Sequence, residues 1–288
     1  MYDLLIGPFQ EFEFMRRALA GTVALSFGAG PVGVILMLRR MSLVGDTMAH
    51  AILPGAALGF MVAGLDLFAM TLGGLVAGLT VALLAGAVAR ATELKEDASL
   101  AAFFLMSLAL GVIIVSVRGN NVDLLNFLFG SVLALDDPTL LLMASIATLS
   151  LVVLAIIWRP LVLDCVDPGF LRSVSRAGTP AYIAFLTLLV LNLVGGFHAL
   201  GTLLSVGIVI IPATVGRFWA RDITGMIAVA VATGVMSGYV GLLVSFHSGA
   251  PAGPSIILVA AAVYVASVLF GPVGGVLTRL LPRRHLEA

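Results

Sequence analysis

Residues 42–55 read Ser42-Leu43-Val44-Gly45-Asp46-Thr47-Met48-Ala49-His50-Ala51-Ile52-Leu53-Pro54-Gly55 and open an apolar stretch that continues to about residue 63. Asp46 and His50 are four residues apart, so on a helix they share one face and could hold one ion from consecutive turns. Pro54 follows four residues later, and its missing N–H leaves the carbonyl of His50 without a helical partner. Ionisable side chains inside a membrane span are costly and commonly mark a substrate path. The same residues fit a second interpretation, in which Asp46 caps a helix at the cytoplasmic edge and His50 satisfies it locally.

The composition is that of a protein with many membrane spans. Hydrophobic residues make up 61% of the 288 residues and charged residues only 10%, whereas a soluble domain carries about 25% charged residues. The formal net charge is zero, which gives no reason to expect a nucleic acid partner. Lys95 is the only lysine, so the chain has no phosphate-binding Gly-Lys-Ser/Thr loop. The only cysteine is Cys165, which excludes an intrachain disulfide and a cysteine metal cluster.

Nine apolar stretches predict an all-α polytopic membrane protein, a bundle of eight or nine transmembrane helices in one domain over residues 1–288. Each stretch is near the roughly 20 residues that cross a hydrocarbon core, and the count is eight if a marginal one does not cross. Arginines follow the ends of several stretches and predict that those connections and the C-terminus are cytoplasmic, although Arg16-Arg17 and Arg118 count against this orientation. The predicted spans are approximately 14–38, 45–63, 67–90, 97–117, 138–158, 180–196, 199–218, 222–246 and 254–280.

Pairs of glycines four residues apart predict close approach of helix backbones in a compact bundle. The pairs are Gly55/Gly59, Gly74/Gly78, Gly234/Gly238 and Gly271/Gly275.

The longest polar interval, residues 159–180, contains the pattern of a short helix at 168–177. Asp167 is suited to the N-cap and Pro168 to the first helical position, while Gly178 is suited to the C-cap and Pro180 to ending the helix. A short helix capped at both ends favours docking on a cytoplasmic partner; the alternative is a helix lying on the lipid headgroups. The predicted docking residues are Asp167, Pro168, Gly169, Phe170, Leu171 and Arg172.

Two histidines between spans are further candidate metal ligands. His198 lies in Gly195-Gly196-Phe197-His198-Ala199-Leu200-Gly201, and His247 lies in Ser245-Phe246-His247-Ser248-Gly249. Both are predicted in loops on the outer face, where a neutral imidazole could meet an incoming ion. The simpler interpretation of each is a solvated loop residue.

Four segments carry a resemblance to a known family. The most specific is the run Leu38-Arg39-Arg40-Met41 followed by residues 42–55, with Asp46 and His50 inside it. The others are Phe14-Met15-Arg16-Arg17-Ala18-Leu19, Glu93-Leu94-Lys95-Glu96-Asp97, and Gly201-Thr202-Leu203-Leu204 with Ile211-Pro212-Ala213-Thr214. From about residue 5 to about residue 281, the chain resembles the integral membrane permeases of ABC importers for zinc, manganese or iron.

The resemblance implies a permease homodimer, a cytoplasmic ABC ATPase dimer that binds the ATP, and a periplasmic or lipid-anchored metal-binding protein, at the bacterial inner (plasma) membrane. It implies that Asp46 and His50 belong to the metal path and that the helix at 168–177 couples to the ATPase. In the family an aspartate commonly stands two residues before the Pro-x-Gly of the last outer loop. Here that position is Gly249, so any such role is absent or reassigned, with His247 as a candidate.

We therefore predict a permease subunit, not an enzyme, that moves a divalent transition metal by ATP-driven alternating access and holds no permanent cofactor. We place Zn²⁺ first and Mn²⁺ second, since zinc suits imidazole plus carboxylate, although manganese accepts the same ligands. One alternative is a siderophore or cobalamin permease, which gives no reason for Asp46 and His50 inside a span. Another is a self-contained secondary transporter, which would often show an inverted repeat. A membrane enzyme would require a nucleophile–base or three-ligand metal motif, which the sequence does not show.

Overall fold

The computed structural model describes residues 5–64, 66–94, 96–117, 135–175 and 177–280, and within these ranges every regular element is a helix. The predicted all-α class is confirmed. In chain order the helices are α1 (Gly7–Glu11), α2 (Glu13–Leu38), α3 (Ser42–Ala51), α4 (Leu53–Ala63), α5 (Leu67–Ala91), α6 (Glu96–Val117), α7 (Asp137–Val166), α8 (Pro168–Val174), α9 (Gly178–Leu200), α10 (Thr202–Trp219), α11 (Ile223–Ser248), α12 (Ala252–Phe270) and α13 (Val276–Leu280).

Within the described part of the chain, eight helical segments are long and apolar enough to cross a membrane. They are α2, the pair α3–α4 taken together, α5, α7, α9, α10, α11 and α12. The apolar part of α6, Ala98–Ile114, is shorter. This agrees with the predicted polytopic bundle of eight or nine spans.

Aspartates begin four of these helices. The side chains of Asp66, Asp136, Asp167 and Asp222 each accept a hydrogen bond from the backbone N–H three residues later. These bonds satisfy one of the N–H groups that a helix start leaves without a partner. Each such helix therefore begins where the sequence provides an N-cap.

The helices in two places differ from the predicted spans by more than a turn. The span predicted at 138–158 is the first part of α7, which continues through Pro160 to Val166, so most of the predicted polar interval 159–180 is helical. At about 1.5 Å per residue the 30 residues of α7 exceed a hydrocarbon core of about 30 Å, so one end projects from it. The last predicted span, 254–280, consists of α12, a turn beginning at Gly271, and α13.

The centre of the bundle is formed by α2 and α9, the two candidate spans with the most buried residues. Helix α2 packs against α7, α9, α10 and α11, and α9 packs against α5 and α7. Large apolar side chains with no more than 1% exposure fill this region, including Ile35 and Leu36 of α2 and Phe185, Leu189 and Val190 of α9.

Glycines allow the closest helix contacts. A Cβ at Gly55 of α4 would overlap the carbonyl oxygen of Gly73 on α5, so these two backbones touch. Gly234 and Gly238 of α11 face Ser26 and Thr22 of α2. Gly271 and Gly275 do not share a helix, because Gly271 caps the end of α12 and Gly275 precedes α13, but Gly271 lies closely against Phe218 of α10.

Candidate functional site

Helix α3 has one face buried in the bundle and one face open. Val44, Met48 and Ala51 are at most 1% exposed and anchor the helix. On another face, the side chain of Asp46 is 63% exposed and that of His50 is 33% exposed. The alternative in which Asp46 caps the helix is wrong, because α3 begins at Ser42, with Met41 at its N-cap.

The two polar side chains lie close enough to share an ion. Asp46 Oδ1 and His50 Nε2 are 3.9 Å apart, which is too long for a hydrogen bond. Two atoms that each ligate one ion at about 2.1 Å lie roughly 3 to 4 Å from each other. The predicted helical spacing therefore places the two side chains within reach of one ion, and no group of three His, Cys, Asp or Glu residues suited to a metal occurs in the ranges described.

Helix α6 supports this arrangement from the side. The ring of Phe104 is tilted against the His50 ring, with 5.5 Å between centroids. Ser107 donates a hydrogen bond of 3.0 Å to the carbonyl oxygen of Ala51, at the break between α3 and α4. Pro54 lies in the first turn of α4, where its missing N–H is tolerated. Sequence reasoning missed Phe104 and Ser107, since nothing local in the sequence shows that α6 is the neighbour.

The two outer histidines lie in helices, so their prediction as loop residues is wrong. His198 belongs to α9, which ends at Leu200; its side chain lies outside the described part of the structure. His247 is in the last turn of α11, and its Nδ1 is 2.8 Å from the carbonyl oxygen of Leu243. Because a carbonyl only accepts, this bond places the hydrogen on Nδ1 and leaves Nε2 of the neutral ring with a free lone pair.

The short helix α8 begins as predicted and ends earlier. Asp167 Oδ1 accepts a hydrogen bond of 2.9 Å from the N–H of Phe170, and Pro168 follows the cap. The helix ends at Val174 because the extended Ser175 follows it. Gly178 and Pro180, predicted as its C-cap and stop signal, instead lie in the first turn of α9.

Helix α8 presents one apolar side outward. Leu171 is only 4% exposed and packs against the position of Gly178, so it anchors α8 to its own chain. Phe170 is 53% exposed and Val174 is 68% exposed. Of the two apolar residues predicted to dock, Phe170 is therefore the one available to a partner. The side chain of Arg172 is not among those described.

A charge cluster lies at the opposite end of α7. Arg17 pairs with Glu13 at 2.7 Å and with Asp137 at 3.1 Å. The pair with Asp137 joins the beginning of α2 to the beginning of α7. The pKa of the neighbouring Asp136 is lowered, chiefly by the hydrogen bond from the Thr139 side chain.

Comparison with known proteins identifies the family. The model of the ABC 3 transport family matches residues 11–271. The chain belongs to this family. Manganese import system permease protein ScaB of Streptococcus parasanguinis is 31% identical over 272 residues, which are 94% of this chain and 96% of that protein. Manganese transport system membrane protein MntC of Halalkalibacterium halodurans is 31% identical over 93% of this chain and 91% of its own length.

A solved structure shares the whole architecture. PsaBC from Streptococcus pneumoniae in complex with Fab contains a chain with 29% identity and a TM-score of 0.85, and the match covers 98% of this chain and 100% of that one. The ABC 3 transport family member described here is thus a multi-pass permease subunit of a metal ABC importer in the bacterial plasma membrane, not an enzyme. The relatives named above are manganese proteins, so the expected order of zinc before manganese gains no support.

Proposed function

We propose that the chain is the permease of a manganese importer and that Asp46 and His50 form part of its ion path. The exposed carboxylate of Asp46, on a candidate span and 3.9 Å from His50, is the observation that carries this proposal. A carboxylate facing lipid would be energetically costly. A second permease copy or a water-filled path between two copies would remove that cost, which supports a homodimer with the ion path between its subunits.

Manganese is the first choice of metal because the two relatives at 31% identity are named for it. The ligand chemistry agrees, since Mn²⁺ accepts both carboxylate oxygen and imidazole nitrogen. Zinc and iron accept the same pair and remain the alternatives. A site with only two protein ligands suits transport, because conduction requires an ion to leave as well as to enter.

The proposed cycle is alternating access. A periplasmic or lipid-anchored protein delivers the ion at the outer face, where Nε2 of His247 is available, and His198 is proposed as a second outer ligand. A cytoplasmic ABC ATPase dimer binds ATP and docks on α8, with Asp167, Pro168, Gly169, Leu171 and Arg172 shaping the helix and Phe170 in contact. No permanent cofactor is required, because the metal is cargo.

The test is metal uptake by vesicles that contain the permease, its ATPase and the binding protein. Asp46→Asn and His50→Ala should each reduce Mn²⁺ uptake by at least about tenfold, because losing even a hydrogen-bond partner of a metal ligand has an effect of that size, while the complex assembles and hydrolyses ATP. Asp222→Asn is the matched control, because Asn also caps a helix and Asp222 lies at the start of α11. Wild-type uptake by both variants would remove the pair from the ion path, and preferential uptake of zinc from an equal mixture would overturn manganese.

A further inference from the structure

Arg39 and Asp164 form a largely buried ion pair at one end of the bundle. Arg39 follows the last residue of α2, and Asp164 lies in the last turn of α7. Their side chains keep only 15% and 16% of their surface exposed. The Arg39 guanidinium also lies over the ring of Tyr182 on α9, 4.6 Å from its centroid, and 5.8 Å from the centroid of Phe185. One side chain thus joins the ends of three helices.

The Arg39–Asp164 pair lies between α8, the proposed ATPase-docking helix, and α3, the helix of Asp46 and His50. Asp164 lies three residues before Asp167, which ends α7 and caps α8. Arg39 lies three residues before Ser42, the first residue of α3. Asp46 and His50 are on this helix. A rigid-body displacement of α8 would therefore move Asp164 and, through the ion pair, the start of α3.

The turn between α2 and α3 is built to carry such a displacement. Arg40 has φ 60°, a left-handed conformation that is uncommon for residues other than glycine. Backbone hydrogen bonds fix the turn on both sides, from Arg40 N–H to the Met37 carbonyl at 2.9 Å and from Met41 N–H to the Leu36 carbonyl at 3.1 Å. Such a constrained turn transmits movement, where a loose linker would absorb it.

Stability alone does not account for the pair. Nη1 of Arg39 is buried, and the described residues provide no hydrogen-bond partner for it; an unsatisfied buried donor is destabilising. Buried ion pairs are frequently no more stabilising than well-packed apolar residues of similar volume. Charged groups that are costly to bury and that link two functional elements favour a role in conformational change.

We infer that Arg39 and Asp164 are positioning residues that transmit movement of the ATPase-docking helix α8 to the ion-path helix α3. This inference rests on the proposed function. It assigns the pair no contact with metal or ATP. The pair couples metal movement to ATP hydrolysis, and its loss leaves hydrolysis running without transport.

The first experiment measures Mn²⁺ uptake per ATP hydrolysed in vesicles containing the complete importer. Asp164→Asn keeps the side-chain shape and removes the charge. We expect the variant to keep its ATPase bound and to hydrolyse ATP at nearly the wild-type rate. Uptake per ATP should fall by at least about tenfold, an effect typical of coupling between two sites. Tyr182→Leu, which removes the ring beneath the guanidinium, should lower the ratio about threefold. It serves as the test if Asp164→Asn does not assemble. Arg159→Gln is the matched control, because Arg159 is exposed on the same helix, and should leave the ratio unchanged.

The second readout is the alkylation rate of Cys165, the only cysteine of the chain, which is half-buried and directly follows Asp164. Mass spectrometry of its peptide separates it from cysteines of the other subunits. In the wild-type complex the rate should change severalfold on ATP binding, and in Asp164→Asn this change should persist, because Cys165 lies on the α8 side of the ion pair. Uptake per ATP by Asp164→Asn equal to that of the wild type would overturn the inference. Loss of the nucleotide-dependent labelling in this variant would also overturn it, because the defect would then lie in docking of α8 and not in transmission to α3. A wild-type complex that shows the labelling response without moving Mn²⁺ would instead contradict the proposed function.

Discussion

Asp46 keeps 63% of its side chain exposed although it lies within the second candidate span. The buried face of α3, which includes Met48 and Ala51, leaves no inward space for the carboxylate. An exposed charge at this position implies that another surface or water faces it in the assembled importer. The exposed carboxylate of Asp46 therefore needs a polar or aqueous surface opposite it, and a second copy of the permease would provide one. This is the physical argument for the proposed dimer.

Local sequence information was sufficient to predict that Asp46 and His50 share a helix face. It was insufficient to predict which residues of other helices surround them. The spacing of Asp46 and His50 fixes their shared face as soon as the segment is helical. The neighbours Phe104 and Ser107 come from a helix some fifty residues later, and no spacing rule connects them to α3. His247 shows the same limit at a boundary, because α11 continues two residues past the predicted end and turns a loop residue into a helical one.

Asp136 provides a pH prediction at this scale. Hydrogen bonds from the side chain and backbone of Thr139 favour its carboxylate and lower its pKa below the ordinary 3.8. The stabilisation is therefore present above that value and is lost as pH falls through the lower pKa of the folded state. Asp136→Ala should destabilise the permease by about 1 kcal/mol near neutral pH, and the difference should shrink as the pH falls below 3.8.

Thermal unfolding in detergent across this pH range measures the effect of the Asp136 substitution. Asp136→Asn is the control, because an amide also caps a helix start and carries no charge to titrate. A destabilisation by Asp136→Ala that stays constant down to the lowest pH would contradict the assignment to the ionised carboxylate.

At the scale of single helices, the start of α8 could be predicted from the sequence and its end could not. Its start was predicted correctly, because an aspartate followed by proline has few structural meanings other than an N-cap and first helical position. Its end was not, because Gly178 and Pro180 can either follow one helix or begin the next. Tertiary packing decides between them here, with Leu171 folded onto Gly178 at the start of α9.

This arrangement predicts different outcomes for the two apolar residues of α8. Phe170→Glu should release the ATPase from the purified permease while the permease remains folded, because the side chain is 53% exposed and available to a partner. Leu171→Glu should instead destabilise the permease, since it buries a charge against α9. Co-purification of the ATPase, together with permease melting curves, separates these outcomes.

Thr179→Glu is the matched control for Phe170→Glu. It adds the same charge at an exposed position in the first turn of α9, where a carboxylate is favourable, and should leave the ATPase bound. Retention of the ATPase by Phe170→Glu, with normal transport, would favour the alternative in which α8 lies on lipid headgroups.

For the molecule as a whole, the apolar stretches predicted the number and class of spans, since crossing a bilayer demands length and hydrophobicity that any sequence must display. They did not predict that α2 and α9 form the centre, because composition is nearly the same for buried and lipid-facing helices. The partners of each helix depend on shape, as at Gly55 and Gly73, where two backbones meet. The proposed ion route from the outer face to Asp46 depends on this packing and on the proposed second copy together.

That route gives the last prediction, which concerns His247. If its free Nε2 receives ions at the outer entrance, His247→Ala should raise the KM for Mn²⁺ uptake severalfold and leave kcat nearly unchanged, because removing an interaction made equally in the ground and transition states changes KM alone. Asp46→Asn, inside the path, should lower kcat. Ser248→Ala is the control, since Ser248 is the exposed neighbour whose hydroxyl donates to the Val244 carbonyl and accepts from the Ala250 N–H. Uptake must be compared with the same binding protein at the same concentration, so that delivery is constant. A KM for His247→Ala equal to that of Ser248→Ala would return His247 to an exposed helix-end residue without a role in entry.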